Sequence, residues 1–161
     1  MSQPPIETLP TNPPANSADR PLTIVVAEDE PAIRLVLANK LKQAGYSVRV
    51  AANGLEGLAL VRAAMPDLII TDFQMPRMDG LAMARELHRD EATRRIPLIV
   101  LSARGHRLGG ADLEGTSVDQ VLLKPFSMRE VLTIVGDLLG APRVATPTPS
   151  VGPDHTQGLA A

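Results

Sequence analysis

Leu68-Ile69-Ile70-Thr71-Asp72-Phe73-Gln74-Met75-Pro76-Arg77-Met78-Asp79-Gly80 is the stretch on which the reading of this chain turns. Its apolar run does not alternate with polar residues, which predicts a strand buried on both faces, as in a parallel sheet covered by helices. The chain must then turn, because Pro76 removes a backbone donor and Asp79-Gly80 supplies turn chemistry. Asp72 is therefore presented at the carboxyl end of a strand, the edge at which open α/β sheets bind their ligands. Alone this is a weak signal, since a solvated or loop-capping aspartate fits the same pattern.

The pattern repeats on either side. Upstream, Leu22 to Ala27 form a second buried run, ending in Glu28-Asp29-Glu30. Pro31 then sits where the first helical residue belongs, its missing N–H harmless there. Ile33, Val36, Leu37, Leu41 and Ala44 mark one helical face until Gly45 ends it. Ser47 to Ala51 read as a strand, and Asn53-Gly54 opens a helix through Leu55, Leu58 and Val61 that stops before Pro66. Downstream, a helix runs from about Gly80 to His88, and a strand from Pro97 to Leu101 ends on Ser102-Ala103. Another strand, Val118 to Leu123, ends on Lys124-Pro125. A last helix from Met128 to Leu139 carries Val131, Leu132, Val135, Leu138 and Leu139 on its apolar side, and Gly140 closes it. The segment 104–116 is less well specified. Gly105, Gly109, Gly110 and Gly115 each cost about 0.8–1 kcal/mol of helix propensity relative to Ala, so the fourth helix is expected to be short, mobile or partly unwound.

Five strands alternating with helices predict an α/β fold: a doubly wound parallel sheet with helices on both faces. Right-handed crossovers leave few topologies. The flavodoxin-like strand order 2-1-3-4-5 is expected, taken from folds of known order rather than derived from these residues.

Composition narrows the function. The 161 residues are 44% apolar and 21% charged, with a formal net charge of −2. Aromatics are confined to Tyr46, Phe73 and Phe126, so neither an electrostatic footprint nor a stacking platform for nucleic acid is present. With no cysteine, disulfides, thiolate metal sites and a Cys nucleophile are excluded. No apolar run nears the roughly 20 residues that span a bilayer, and no signal pattern opens the chain, so a cytoplasmic protein without membrane contact is expected. Residues 1–20 and 142–161 are rich in proline and polar residues and lack the apolar density to offset ordering. They are expected to be disordered tails around a folded unit at 21–141.

In a parallel sheet Glu28, Asp29, Asp72, Ser102 and Lys124 all fall at strand ends on one edge and should converge. Two carboxylates 4 Å apart repel by roughly 4 kcal/mol at an effective dielectric of about 20. Three acids gathered there require protonation or a cation. One lysine cannot neutralise three, whereas Mg²⁺ can, using one or two carboxylates and keeping waters for substrate oxygens. His88, His106 and His155 are scattered and read as surface residues. With a metal on one side and Lys124 on the other, Asp72 could attack phosphorus as a carboxylate nucleophile. Ser102 could then donate to a phosphoryl oxygen.

These residues resemble the receiver domain of two-component response regulators over about Leu22 to Leu139. The resemblance rests on Val26-Ala27-Glu28-Asp29-Glu30-Pro31, the D-x-x-M-P-x-M-D-G string from Asp72 to Gly80, Leu101-Ser102-Ala103 and Lys124-Pro125-Phe126. It implies that Asp72 accepts a phosphoryl group from a phosphohistidine on a histidine kinase or histidine phosphotransfer protein. Glu28, Asp29, Asp72 and the Gln74 backbone carbonyl would hold Mg²⁺. Ser102 would swing toward the phosphoryl group and Lys124 would pair with it. The Lys124-Pro125 bond is expected to be cis, and Gln74 and Arg104 to tune the phosphoryl lifetime. Two departures fall on the surface that usually carries output: Val121 stands where Tyr or Phe is usual, and Ser117-Val118 where Gly-Ala is common. Order–disorder of residues 104–116 is a candidate replacement for the aromatic switch. The expected function is a single-domain response regulator, not a turnover enzyme, that signals by binding a downstream protein. The alternatives are a phosphorylation-independent interaction module and a Mg²⁺-dependent phosphohydrolase with an Asp nucleophile.

Overall fold

The computed structural model describes residues 20–103 and 108–140. The expectations for both tails, for Arg104, and for His106 and His155 lie outside those residues. Five strands, β1 (Thr23–Ala27), β2 (Ser47–Ala51), β3 (Leu68–Asp72), β4 (Leu98–Ser102) and β5 (Val118–Leu123), alternate with five helices. These are α1 (Pro31–Gln43), α2 (Gly54–Ala64), α3 (Gly80–Arg89), α4 (Gly110–Leu113) and α5 (Met128–Leu139). All four strand pairings are parallel, in the order β2-β1-β3-β4-β5. The flavodoxin-like order is therefore the observed one.

Strand alternation splits the core in two. Ile24, Val26, Leu68, Ile70, Ile99 and Leu101 pack on Leu37 and Leu41 of α1 and on Val131 and Val135 of α5. Val25, Ala27, Ile69, Leu98 and Val100 pack on Leu58 and Val61 of α2 and on Leu81, Met83, Ala84 and Leu87 of α3. β3 and β4 are buried along their whole length, which is what a non-alternating apolar run requires. Each fully buried Leu or Ile is worth roughly 1.5–3 kcal/mol, so these two central strands anchor everything placed at their ends.

α1 buries Leu37, Ala38 and Leu41, a narrower stripe than its apolar residues predict. Val36 is 50% exposed and Ala44 is the exposed C-cap. Val36 instead faces a groove of about 540 Å³ that it lines with Ala32, Ile33, Ala103, Pro125 and Phe126. The fourth helix is a single turn, as its glycines predict, and none of its residues is buried. Among the described residues no helix is long and apolar enough to cross a membrane.

Candidate functional site

β1 delivers the first acid. The Glu28 N–H donates to the Ala51 carbonyl at 3.1 Å, carrying the ladder one residue past the strand, and Glu28 is fully buried. Its carboxylate accepts from the Glu30 N–H at 3.1 Å, which leaves the exposed Asp29 at the crest of the turn. The Arg34 guanidinium reaches back from α1 and donates to the carbonyls of Glu28 at 2.7 Å and Asp29 at 3.3 Å.

β3 delivers Asp72, which is 5% exposed. The loop after it is tightly held. The Phe73 N–H donates to Leu101 O at 2.7 Å, and the Gly80 N–H donates to Phe73 O at 2.9 Å. A Cβ on Gly80 would lie 2.2 Å from the Asp72 carbonyl oxygen, and one on Gly54 the same distance from that of Met78. Both positions therefore require glycine for close backbone approach. Between them Arg77 adopts a left-handed φ of 69°. Asp79 caps α3, its carboxylate accepting from the Ala82 N–H at 2.7 Å.

β4 and β5 complete the edge. Ser102 is fully buried, its hydroxyl 3.5 Å from the Ala103 carbonyl, and its own carbonyl accepts from the Lys124 N–H at 2.7 Å. The Lys124-Pro125 peptide is cis, as expected. Lys124 Nζ lies 2.8 Å from Asp72 Oδ1 and 3.2 Å from Glu28 Oε2. Carboxylate oxygens of Glu28, Asp29 and Asp72 all lie within 4.8 Å of one another.

Glu28, Asp29, Asp72, Gln74 and Lys124 thus line one cleft of about 450 Å³. Ser102, fully buried, ends β4 next to Ala103, which does line the cleft. His88 stays outside, exposed on α3 and hydrogen-bonded to the Ser117 hydroxyl at 2.8 Å. Val121 is half-buried against the α2–α3 side of the core. Arg34 is not among the residues singled out above, although it stands three, four and seven residues before the buried Leu37, Ala38 and Leu41 and is itself half-buried. A cation in line with the apolar stripe, near the positive end of the helix dipole, is the signal that could have found it.

The charges respond to this crowding. Burial pushes the Glu28 carboxyl above its ordinary value, and the negative charge of Asp72 adds to the rise, outweighing the Glu30 N–H and Lys124. Burial likewise pushes Asp72 up, with Asp29 adding to the rise and Lys124 opposing it. Burial pulls the Lys124 ammonium down, but its hydrogen bond to Asp72 and its attraction to Asp72 and Glu28 together raise it. Three carboxylates around a single ammonium leave an excess of negative charge in a half-enclosed, all-oxygen setting. A hard divalent cation matches that setting, and a phosphoryl group can approach only where such charge is neutralised.

Known proteins are similar to this chain in sequence and fold. The family described as response regulator receiver domain matches residues 24–136. The DNA-binding dual master transcriptional regulator RpaA of Synechocystis is 38% identical over 119 residues, which are 72% of this chain and 48% of that protein. The phosphate regulon transcriptional regulatory protein PhoB of Pseudomonas aeruginosa is 36% identical over 137 residues, 85% of this chain and 58% of that protein. The chain thus spans about half the length of the curated relatives it matches. Among solved structures, the receiver domain of the sensor histidine kinase PA1611 from Pseudomonas aeruginosa, with a magnesium ion in its active-site cleft, superposes with a TM-score of 0.69. It is 27% identical, covering 76% of this chain and all of that one. The Francisella response regulator 1452 receiver domain superposes with a TM-score of 0.66 at 30% identity, covering 74% of this chain and 97% of that one. Strand order, the acids and lysine at one sheet edge, and the family match over nearly all the described residues agree: this chain belongs to the response regulator receiver domain family.

Proposed function

We propose that Asp72 is a phosphoacceptor and that the domain is a phosphorylation switch rather than a turnover enzyme. The observation that carries this is the Lys124 ammonium 2.8 Å from a nearly buried Asp72, beside two further acids at the same sheet edge. The group received comes from a phosphohistidine on a histidine kinase or phosphotransfer protein. An Asp72 oxygen forms the new O–P bond, the N–P bond breaks, and its electron pair returns to the ring nitrogen, which leaves as neutral imidazole once protonated. Lys124 holds positive charge where the phosphoryl oxygens gather, and Ser102 supplies a hydroxyl from the adjoining strand end. Glu28, Asp29, Asp72 and the Gln74 carbonyl are the residues that would hold Mg²⁺, which when bound neutralises charge on the transferred group. The donor set is entirely oxygen, which fits that ion.

The neighbouring apolar groove shares Ala103 and Lys124 with the cleft, which supports a protein donor over a free small molecule. With a net charge of −2 and few aromatics, the receiver is read as passing its state on by protein contact.

Incubation with Mg²⁺ and acetyl phosphate tests this reading. The expected product is a base-labile adduct of one phosphoryl group per chain, absent in Asp72→Asn. No adduct in the parent protein, or an undiminished one in the variant, refutes it. Release of inorganic phosphate from small phosphoesters without an adduct favours the hydrolase alternative.

A further inference from the structure

Arg34 is the fourth residue of α1, near the positive end of the helix dipole. The first turn of α1 contains no acid, and Glu30 makes no side-chain capping bond. Glu28, Asp29 and Glu30 stand just before the helix and offset its positive end, while Lys124 supplies positive charge across the cleft. The guanidinium folds back over its own helix onto the carbonyls of Glu28 and Asp29. Those two peptide units set the direction of the two acids that β1 contributes. The Glu28 carboxylate adds a second constraint by accepting from the Glu30 N–H, so the acidic turn is fixed from both sides.

We infer that Arg34 is a positioning residue for the divalent-cation site, holding the Glu28-Asp29 backbone so that both carboxylates converge on Asp72. The inference rests on the metal-site reading above. Its two physical effects have opposite signs, which makes it decidable. As a fixed positive charge Arg34 repels a cation, so its removal on electrostatic grounds alone would tighten Mg²⁺ binding. As a clamp it preorganises the ligands, so its removal weakens binding, by about ten-fold for an outer partner of a metal ligand.

Calorimetric Mg²⁺ titration of the full chain, without any phosphodonor, separates these effects. Arg34→Met keeps the aliphatic stem and removes charge and donors; Arg34→Lys keeps the charge and one donor. Far-UV circular dichroism and the thermal midpoint confirm that each variant is folded. The expected result is a Kd raised about ten-fold in Arg34→Met and by an intermediate factor in Arg34→Lys. An unchanged or lower Kd in Arg34→Met, with binding intact in the parent, overturns the role of Arg34 and leaves the metal site standing. No binding in the parent protein overturns both.

Discussion

Replacing Asp72 by Asn is expected to stabilise the metal-free protein, although it removes a 2.8 Å ion pair. Attraction between Asp72 and Lys124 at that distance is about 6 kcal/mol at an effective dielectric of about 20. Repulsion from Glu28, whose nearest ligand oxygen is within 4.8 Å, is about 3.5 kcal/mol on the same scale. Asp29 adds a smaller, solvent-screened share because it is exposed. The pairwise terms leave at most about 2.5 kcal/mol of attraction, so desolvation decides. Burying a carboxylate costs several kcal/mol, and burial is also the main reason that Asp72 titrates above its ordinary value of 3.8. Lys124 keeps Glu28 as a partner in the variant. The net gain should be about 1–3 kcal/mol, or about 4 °C of Tm per kcal/mol in a domain of this size. The sign of the pH dependence follows. Because the folded-state value is raised, the parent's stability falls as pH climbs from 3.8 through that raised value, while the Asn variant has no such loss. The two should therefore coincide in acid and separate toward neutrality. Mg²⁺ reverses the order: a ligand at 100 times its Kd adds about 2.7 kcal/mol, and the variant has lost one of the acids that would hold it. Thermal melts at pH 3.5 and 7, with and without Mg²⁺, read this directly. An Asn variant less stable than the parent at pH 7 without Mg²⁺ refutes the desolvation reasoning.

Three further outcomes can be checked by urea denaturation. Gly80→Ala should lose at least about 2–3 kcal/mol, since its Cβ would stand 2.2 Å from the Asp72 carbonyl; a midpoint within experimental error of the parent contradicts the packing described. Arg77→Gly should gain about 0.5–1 kcal/mol by releasing a left-handed non-glycine residue, net of the greater unfolded-state freedom of glycine, and a lowered midpoint counts against it. Lys124→Met should lose about 3–5 kcal/mol, because it leaves the buried Glu28 and Asp72 facing each other unpaired, and added Mg²⁺ should restore part of the loss. In the parent, the raised Lys124 value means that its contribution is complete below the ordinary 10.5 and fades above it.

Much of this was legible in the chain. The non-alternating runs of β3 and β4 are buried along their whole length, as such runs predict, and β5 and α5 keep their expected bounds, although β5 buries only Leu122. The convergence of Glu28, Asp72 and Lys124 follows from parallel strands alone. What was not legible depends on neighbours remote in sequence. Val36 belongs to the apolar pattern of α1 but meets a groove where a buried partner would be needed. Arg34 is half-buried in line with Leu37, Ala38 and Leu41, and only the carbonyls one turn behind it reveal its use. Gly54 looks like ordinary turn chemistry beside Asn53; its other requirement is the Met78 carbonyl, brought against it by the α2–α3 packing. Ser102 is fully buried at the end of β4, its hydroxyl 3.5 Å from the Ala103 carbonyl, a local geometry that no periodicity encodes.

Glu28 and Lys124 meet across 96 positions of chain. One follows the first strand and the other follows the last, so no fragment short of the whole sheet assembles both. The cleft is therefore completed only when β5 has paired with β4, and a chain truncated before Lys124 presents Glu28 and Asp72 without their shared ammonium. The site thus reports on the completeness of its own scaffold.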